Sequence, residues 1–223
     1  MFPGASAFRQ PPKEGKLNHP GTTVKNEKMK SDIILSGVGG QGILSIAAAI
    51  GLAAIDNNMF LKQAEVHGMS QRGGDVQSHL RLSQKPISSD LIPLGKGDLI
   101  ISVEPMESLR YLPWLSNTGW LVTNSVPFIN IPDYPPLEEI LKEIRKVKNH
   151  KIIDADAIAK EAGSSRSGNM VILGAASPFI GLPFASLEKS VIRLFARKGD
   201  KVVETNLNAL RAGRNALSVS ELE

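Results

Sequence analysis

Cysteine is absent from the 223 residues of this chain. Its absence excludes disulfides, thiolate catalysis and cysteine-held zinc or iron–sulfur clusters within the chain. Any redox chemistry it joins is therefore carried elsewhere. Long hydrophobic runs are missing too. No stretch approaches the roughly 18–20 apolar residues of a membrane span, and the N-terminus lacks the apolar centre of a secretory signal. A cytoplasmic location is the expectation. With 42% hydrophobic and 22% charged residues, the composition suits an ordinary globular protein with one large core.

Strong charge of one sign is also missing from most of the chain. The net charge is +4, but residues 1–28 hold Arg9, Lys13, Lys16, Lys25 and Lys28 against Glu14 and Glu27, a net of +3 that leaves +1 for the rest. A nearly neutral body argues against a nucleic-acid partner, and nothing points to a membrane surface. The 1–28 segment is rich in Pro, Gly and Lys and poor in aliphatic residues, so it is expected to be a disordered leader with Met29 opening the fold. Its two acidic residues and few Ser or Arg count against a targeting segment.

What is present begins with Gly37-Val38-Gly39-Gly40-Gln41-Gly42, directly after the apolar run Ile33-Ile34-Leu35 and directly before an Ala-rich stretch. Strand, glycine turn and helix in that order bring backbone N–H groups and the positive end of a helix to one point, where an anion can rest against bare backbone. Gly37, Gly39, Gly40, Gln41 and Gly42 are the candidate phosphate contacts. The same glycines also suit a tightly packed, empty turn, and both readings stay open.

Ile43, Ala47, Ile50 and Ala54 share one helical stripe, which predicts a helix over 40–56 ended by Asn57-Asn58. A strand over 59–65 leads into a polar loop, and Val76, Ser78, Leu80 and Leu82 then alternate with Gln77, His79 and Arg81 as in a half-exposed strand. Residues 98–103 and 119–124 are short apolar runs suited to buried parallel strands, the first followed by a helix with Pro105 in its first turn. Leu137, Ile140, Leu141, Ile144 and Val147 mark an amphipathic helix, 151–154 a further strand, and 155–215 mostly helix. The alternation predicts a single α/β domain over 29–223, doubly wound, with a largely parallel sheet and a helical C-terminal layer.

A nicotinamide or flavin protein is one chemical reading, since Glu65 ends a strand 23 residues after Gly42, near where a ribose-binding acid lies in dinucleotide folds. Against it stands the long polar loop His67-Gly68-Met69-Ser70-Gln71-Arg72-Gly73-Gly74, which such a fold does not need. Gly68, Gly73 and Gly74 suggest backbone that side chains would obstruct, and Arg72 among them suits a phosphate or carboxylate or a solvated surface. Glu65, His67 and His79 lack the helical spacing of a metal site, and a hydrogen-bonded structural histidine is the stronger reading. Neither a G-x-S-x-G elbow nor a Walker A motif occurs.

The glycine turn together with Glu65-Val66-His67-Gly68-Met69-Ser70-Gln71-Arg72-Gly73-Gly74 resembles the gamma-type subunits of the 2-oxoacid:ferredoxin oxidoreductases, the second motif most of all those acting on indolepyruvate. Leu91-Ile92-Pro93, Glu104-Pro105-Met106-Glu107, Asp154-Ala155-Asp156-Ala157, Arg166-Ser167-Gly168-Asn169 and Asn206-Leu207-Asn208-Ala209 resemble the same family in the same order, so the likeness runs from about Met29 to Leu217.

The resemblance implies a subunit of a thiamine-diphosphate enzyme that oxidatively decarboxylates aryl pyruvates, joins the acyl group to coenzyme A and passes electrons to ferredoxin. Gly74-Asp75, Gly97-Asp98 and Gly199-Asp200 are followed by Val, Leu and Lys, so the Gly-Asp-Gly of a thiamine-diphosphate site is missing. Thiamine diphosphate and iron–sulfur clusters are accordingly expected on a larger alpha subunit, with no catalytic residue and no metal on this chain. The glycine turn and the Glu65–Gly74 loop are expected to converge at the carboxyl ends of adjacent strands. Arg72 is the candidate anion contact, with coenzyme A as a candidate ligand. Glu65, His67, Gly68, Ser70, Gln71, Gly73 and Gly74 form the candidate substrate and partner loop, and Glu104 and Asn124 stand at the next strand ends. A purely structural subunit is the rival reading.

Overall fold

The computed structural model describes residues 29–67 and 73–219. The leader 1–28 and the candidate residues Gly68, Ser70, Gln71 and Arg72 lie outside the described residues, and of His67 only the backbone is described.

The core is a six-stranded sheet in the order β2-β3-β1-β4-β5-β6. The strands are β1 (Lys30–Val38), β2 (Phe60–His67), β3 (Asp75–Ser83), β4 (Gly97–Ser102), β5 (Leu115–Asn124) and β6 (His150–Ile153). β1, β4, β5 and β6 are parallel neighbours, whereas β3 runs antiparallel to both β1 and β2. The largely parallel expectation holds with one exception. β3 is inserted, reversed, between β1 and β2.

β1 is buried along all but its first residue because helices cover both faces of the sheet. Its side chains alternate: Ile33 and Leu35 join one apolar cluster, and Ile34 joins the other. The larger cluster takes α1 (Ile43–Asp56) and the C-terminal layer α4 (Ala155–Glu161), α5 (Gly168–Ile180), α6 (Phe184–Phe195) and α7 (Asp200–Val219). The smaller takes α2 (Pro105–Arg110) and α3 (Leu137–Ile144). All four residues of the predicted α1 stripe are buried. The helix opens at Ile43 rather than residue 40 because Gly42 is left-handed, with φ of 81°. α5 and α7 pack backbone against backbone at Gly174 and Gly213, where a Cβ would come within 2.0 Å of Leu210 O and Val171 O respectively.

At the amino end of β1, Asp32 is fully buried and accepts from Arg81 Nε at 2.8 Å. The same guanidinium donates to Ser89 O and Leu91 O, so one ion pair ties β1, β3 and the following loop together. His79 is 4% exposed, and its Nδ1 accepts the Ile92 N–H at 3.0 Å. Burial, then the Arg81 charge, hold this imidazole below its ordinary 6.5. Protonation of Nδ1 would remove the acceptor that Ile92 uses. The unfolded chain takes up the proton first, so this contribution to stability is complete above pH 6.5 and declines as pH falls below it. Melting curves between about pH 7.5 and about pH 5.5 are expected to show that decline in the wild type and to show less of it in His79→Asn.

Candidate functional site

At the carboxyl end of β1 the chain turns through Gly39, Gly40, Gln41 and Gly42. Gln41 organises this turn internally: its Oε1 accepts the Val38 N–H at 2.8 Å and its Nε2 reaches Val103 O at 3.5 Å. Gly37 admits no side chain, since a Cβ there would lie 2.3 Å from Val103 Cγ2. Gly42 faces Asn169, whose Nδ2 donates to Gly42 O at 3.1 Å.

The two candidate loops meet. Gly39 N–H donates to Gly74 O at 2.8 Å, and Gly73 N–H reaches back to Gly39 O at 3.5 Å. They do not close adjacent parallel strands, however. β1 and β2 both end on this side, but β3 lies between them and its amino end, Asp75, pairs with Val38. The same insertion moves Glu65 to the outer strand, where it is exposed and pairs in register with Ser78 of β3. A ribose-binding acid belongs on the strand beside β1, so Glu65 does not stand where that role needs it.

Glu104 and Asn124 lie at the ends of β4 and β5, as expected of the next strands, but both work inside the fold. Glu104 is fully buried: Oε2 accepts the Glu107 N–H at 2.7 Å, capping α2, and Oε1 accepts from the Phe128 N–H and the Tyr134 hydroxyl. Burial first, then the bond to Glu104, push the Tyr134 hydroxyl above its ordinary value. Asn124 accepts the Ala155 N–H at 3.0 Å and donates to Asp156 Oδ2 at 2.9 Å, which locks the start of α4. Asn130 Nδ2 donates to Gly73 O, so the 125–136 segment that Glu104 anchors also grips the end of the β2–β3 connection.

These contacts enclose a cleft of 420 Å³ above the sheet, with Gly40, Phe128, Asp156, Arg166 and Asn169 among its walls. No histidine is among its described lining residues, and Asp156 is its one carboxylate there. Asp156, Arg166 and Asn169 carry its polar lining and were not singled out as site residues from the sequence. Their signal was available: each follows a strand end or opens a helix on the carboxyl side of the sheet, where open α/β folds bind ligands. Among the described residues no group of three His, Asp or Glu side chains could hold a metal. With no cysteine in the sequence, no cysteine-held iron–sulfur cluster fits the residues of this chain.

The sequence pattern of the pyruvate ferredoxin/flavodoxin oxidoreductase family matches residues 32–216. The chain belongs to that family. It is 37% identical over 194 residues to indolepyruvate oxidoreductase subunit IorB of Pyrococcus horikoshii, covering 83% of this chain and 95% of the relative. The subunit IorB of Archaeoglobus fulgidus is 36% identical, with 84% and 95% covered. The pyruvate oxidoreductase subunit PORC of Thermotoga maritima shares the fold with a TM-score of 0.65 at 21% identity, over 82% of this chain and 94% of its own. A 2-oxoglutarate:ferredoxin oxidoreductase of Magnetococcus marinus, solved with 2-oxoglutarate, coenzyme A and succinyl-CoA bound, gives 0.68 at 22% identity. There 86% of this chain matches, but only 32% of that one. This member of the family is thus a subunit-sized chain of a 2-oxoacid:ferredoxin oxidoreductase, and no helix among its described residues is long and apolar enough to cross a membrane.

Proposed function

We propose that this chain is the small, cofactor-free subunit of a complex that oxidatively decarboxylates indolepyruvate or related aryl pyruvates to the acyl-coenzyme A, with electrons passed to ferredoxin. The observation that carries this reading is the near full-length match to the IorB subunits. The absence of cysteine and of a Gly-Asp-Gly sequence is consistent with it, because the clusters and the thiamine diphosphate then belong to a larger alpha subunit. The part left to this chain is to wall the active site, with the Glu65–Gly74 loop and the cleft facing that partner.

Co-purification from the native host tests the assignment. The expected result is a cysteine-rich, thiamine-diphosphate partner and indolepyruvate-dependent, coenzyme A-dependent reduction of a viologen dye. A chain that purifies alone and without such activity overturns it. Arg72 tests the role of the loop within the complex: loss of one charge-assisted contact in Arg72→Ala is expected to lower kcat/KM about tenfold with the complex intact. Unchanged kinetics, or loss only through dissociation of the complex, would favour the purely structural reading.

A further inference from the structure

The sheet ends in two unlike edges. β6, at one end, is four residues long. β2, at the other, runs for eight residues, pairs with β3 at every position without a shift in register, and holds neither proline nor glycine. Its outer side has no strand beside it among the described residues, so a regular row of N–H and C=O groups is left without ladder partners. Sheet edges are ordinarily blunted by a short strand, a bulge, a proline or a charge. β2 carries Lys62 and Glu65, but the lysine is drawn away: its Nζ lies 2.6 Å from Asp90 Oδ1 and also donates to Ser88 O, both in the loop after β3.

Side chains alternate along β2. Leu61 faces α1, since a Cβ on Gly51 would come within 3.1 Å of Leu61 Cδ2. Gln63 and Glu65 therefore share the α1 face, and Lys62, Ala64 and Val66 share the other. Gln63, Glu65 and Val66 are exposed, the apolar Val66 at 51%.

We infer that β2 is a dimerisation edge, to which a second copy of this chain adds its own β2, antiparallel, about a two-fold axis normal to the sheet. Such an axis keeps like faces together, so residues facing each other across it are both even-numbered or both odd-numbered. Centred on Ala64, the pairing sets Ala64 against Ala64, Gln63 against Glu65 and Lys62 against Val66 of the other copy, the last two pairs each occurring twice. An amide donates to a carboxylate, the apolar stem of Lys62 covers Val66, and no like charges meet. β2 is thus its own complement, which favours a second copy over an unrelated strand. Residues 1–28 of the same chain suit the edge poorly. Pro3, Pro11, Pro12 and Pro20 leave 21–28 as their one proline-free run as long as β2, and that run joins Met29 directly, with β3 standing between β1 and β2. The pairing ends at His67 and does not depend on the identity of a larger subunit.

Sedimentation velocity of the full chain over about 1–100 µM tests it. A dimer that dissociates on dilution is expected, with the backbone amides of β2 exchanging more slowly in the dimer than in the monomer. Gln63→Glu sets a carboxylate against Glu65 twice and is expected to weaken the dimer about tenfold, whereas Gln63→Lys sets an ammonium there and is expected to tighten it several-fold. Gln63 is exposed, and circular dichroism spectra matching the wild type keep both variants interpretable. A chain that is monomeric throughout, a dimer indifferent to the charge at residue 63, or one that both variants weaken alike overturns the inference. So does a monomer whose β2 amides are protected only in a complex with another subunit, which gives the edge to that subunit instead.

Discussion

Gly174→Ala and Gly213→Ala are each expected to destabilise the chain by about 2–3 kcal/mol, and the double variant is expected not to fold. A Cβ on Gly174 would lie 2.0 Å from Leu210 O and 3.0 Å from Arg214 N, and one on Gly213 would lie 2.0 Å from Val171 O. These neighbours are backbone atoms within helices, so no side chain can swing aside. The helices must separate instead, which loosens the packing of Met170, Val171, Ala209 and Leu210, all buried. Overpacking ordinarily costs about 1–3 kcal/mol and more where, as here, backbone atoms must give way, so the roughly 1 kcal/mol that alanine's better helix propensity returns leaves a net loss of about 2–3 kcal/mol. For a chain of this size the melting temperature should fall by roughly 5–10 °C per variant. Gly51→Ala is the control, because its Cβ would meet only the end of the Leu61 side chain at 3.1 Å. If Gly174→Ala melts with the wild type while Gly51→Ala does not, the α5–α7 crossing is not as close as described.

Glu104→Ala is the other large effect, expected at about 3–4 kcal/mol. The carboxylate is fully buried and accepts from the Glu107 N–H, the Phe128 N–H and the Tyr134 hydroxyl. Removing it strands three donors at once and uncaps α2. A cap is worth about 1 kcal/mol, and a donor left without a partner costs about 1–3 kcal/mol when buried, toward the low end for the part-buried Phe128 N–H and Tyr134 hydroxyl. Glu104→Gln keeps one carbonyl acceptor and should fall between Ala and wild type. Tyr134→Phe removes one donor together with its need and should cost about 1 kcal/mol. Urea unfolding ranks the three variants. Hydrogen exchange at the Phe128 amide reports whether the 125–136 segment is released. An alanine variant as stable as the wild type would show that the buried carboxylate holds nothing together.

Much of this was written locally. Ile33-Ile34-Leu35 followed by the glycine turn and the Ile43, Ala47, Ile50, Ala54 stripe identified β1, its turn and α1, because strand periodicity, glycine and helix periodicity each act within a few residues. The strand over Asp75–Ser83 was legible as a strand, but its direction and its neighbours were not. Alternation reports which face is buried, and β3 reads the same forwards and backwards. Glu104 read as a polar residue at a strand end. Its burial depends on Phe128 and Tyr134, which only the folded 125–136 segment brings to it. The close approach of Gly174 to Gly213 joins helices well separated in sequence, and no short-range pattern marks it.

The reversed strand has an evolutionary consequence. Were β3 a parallel strand, a crossover would have to join it to β2, and any change in that connection would have to preserve a helix packed on the core. Here the connection is the tip of a hairpin, clamped at Val38↔Asp75 and His67↔Val76. Doubling the length of such a tip costs only about 0.6 kcal/mol in closure entropy. Sequence drift can therefore accumulate in this connection without being felt by the helical layer. A lineage could retune what the tip touches by rewriting a handful of residues, while the rest of the chain evolves under the slower constraint of keeping its helices in contact.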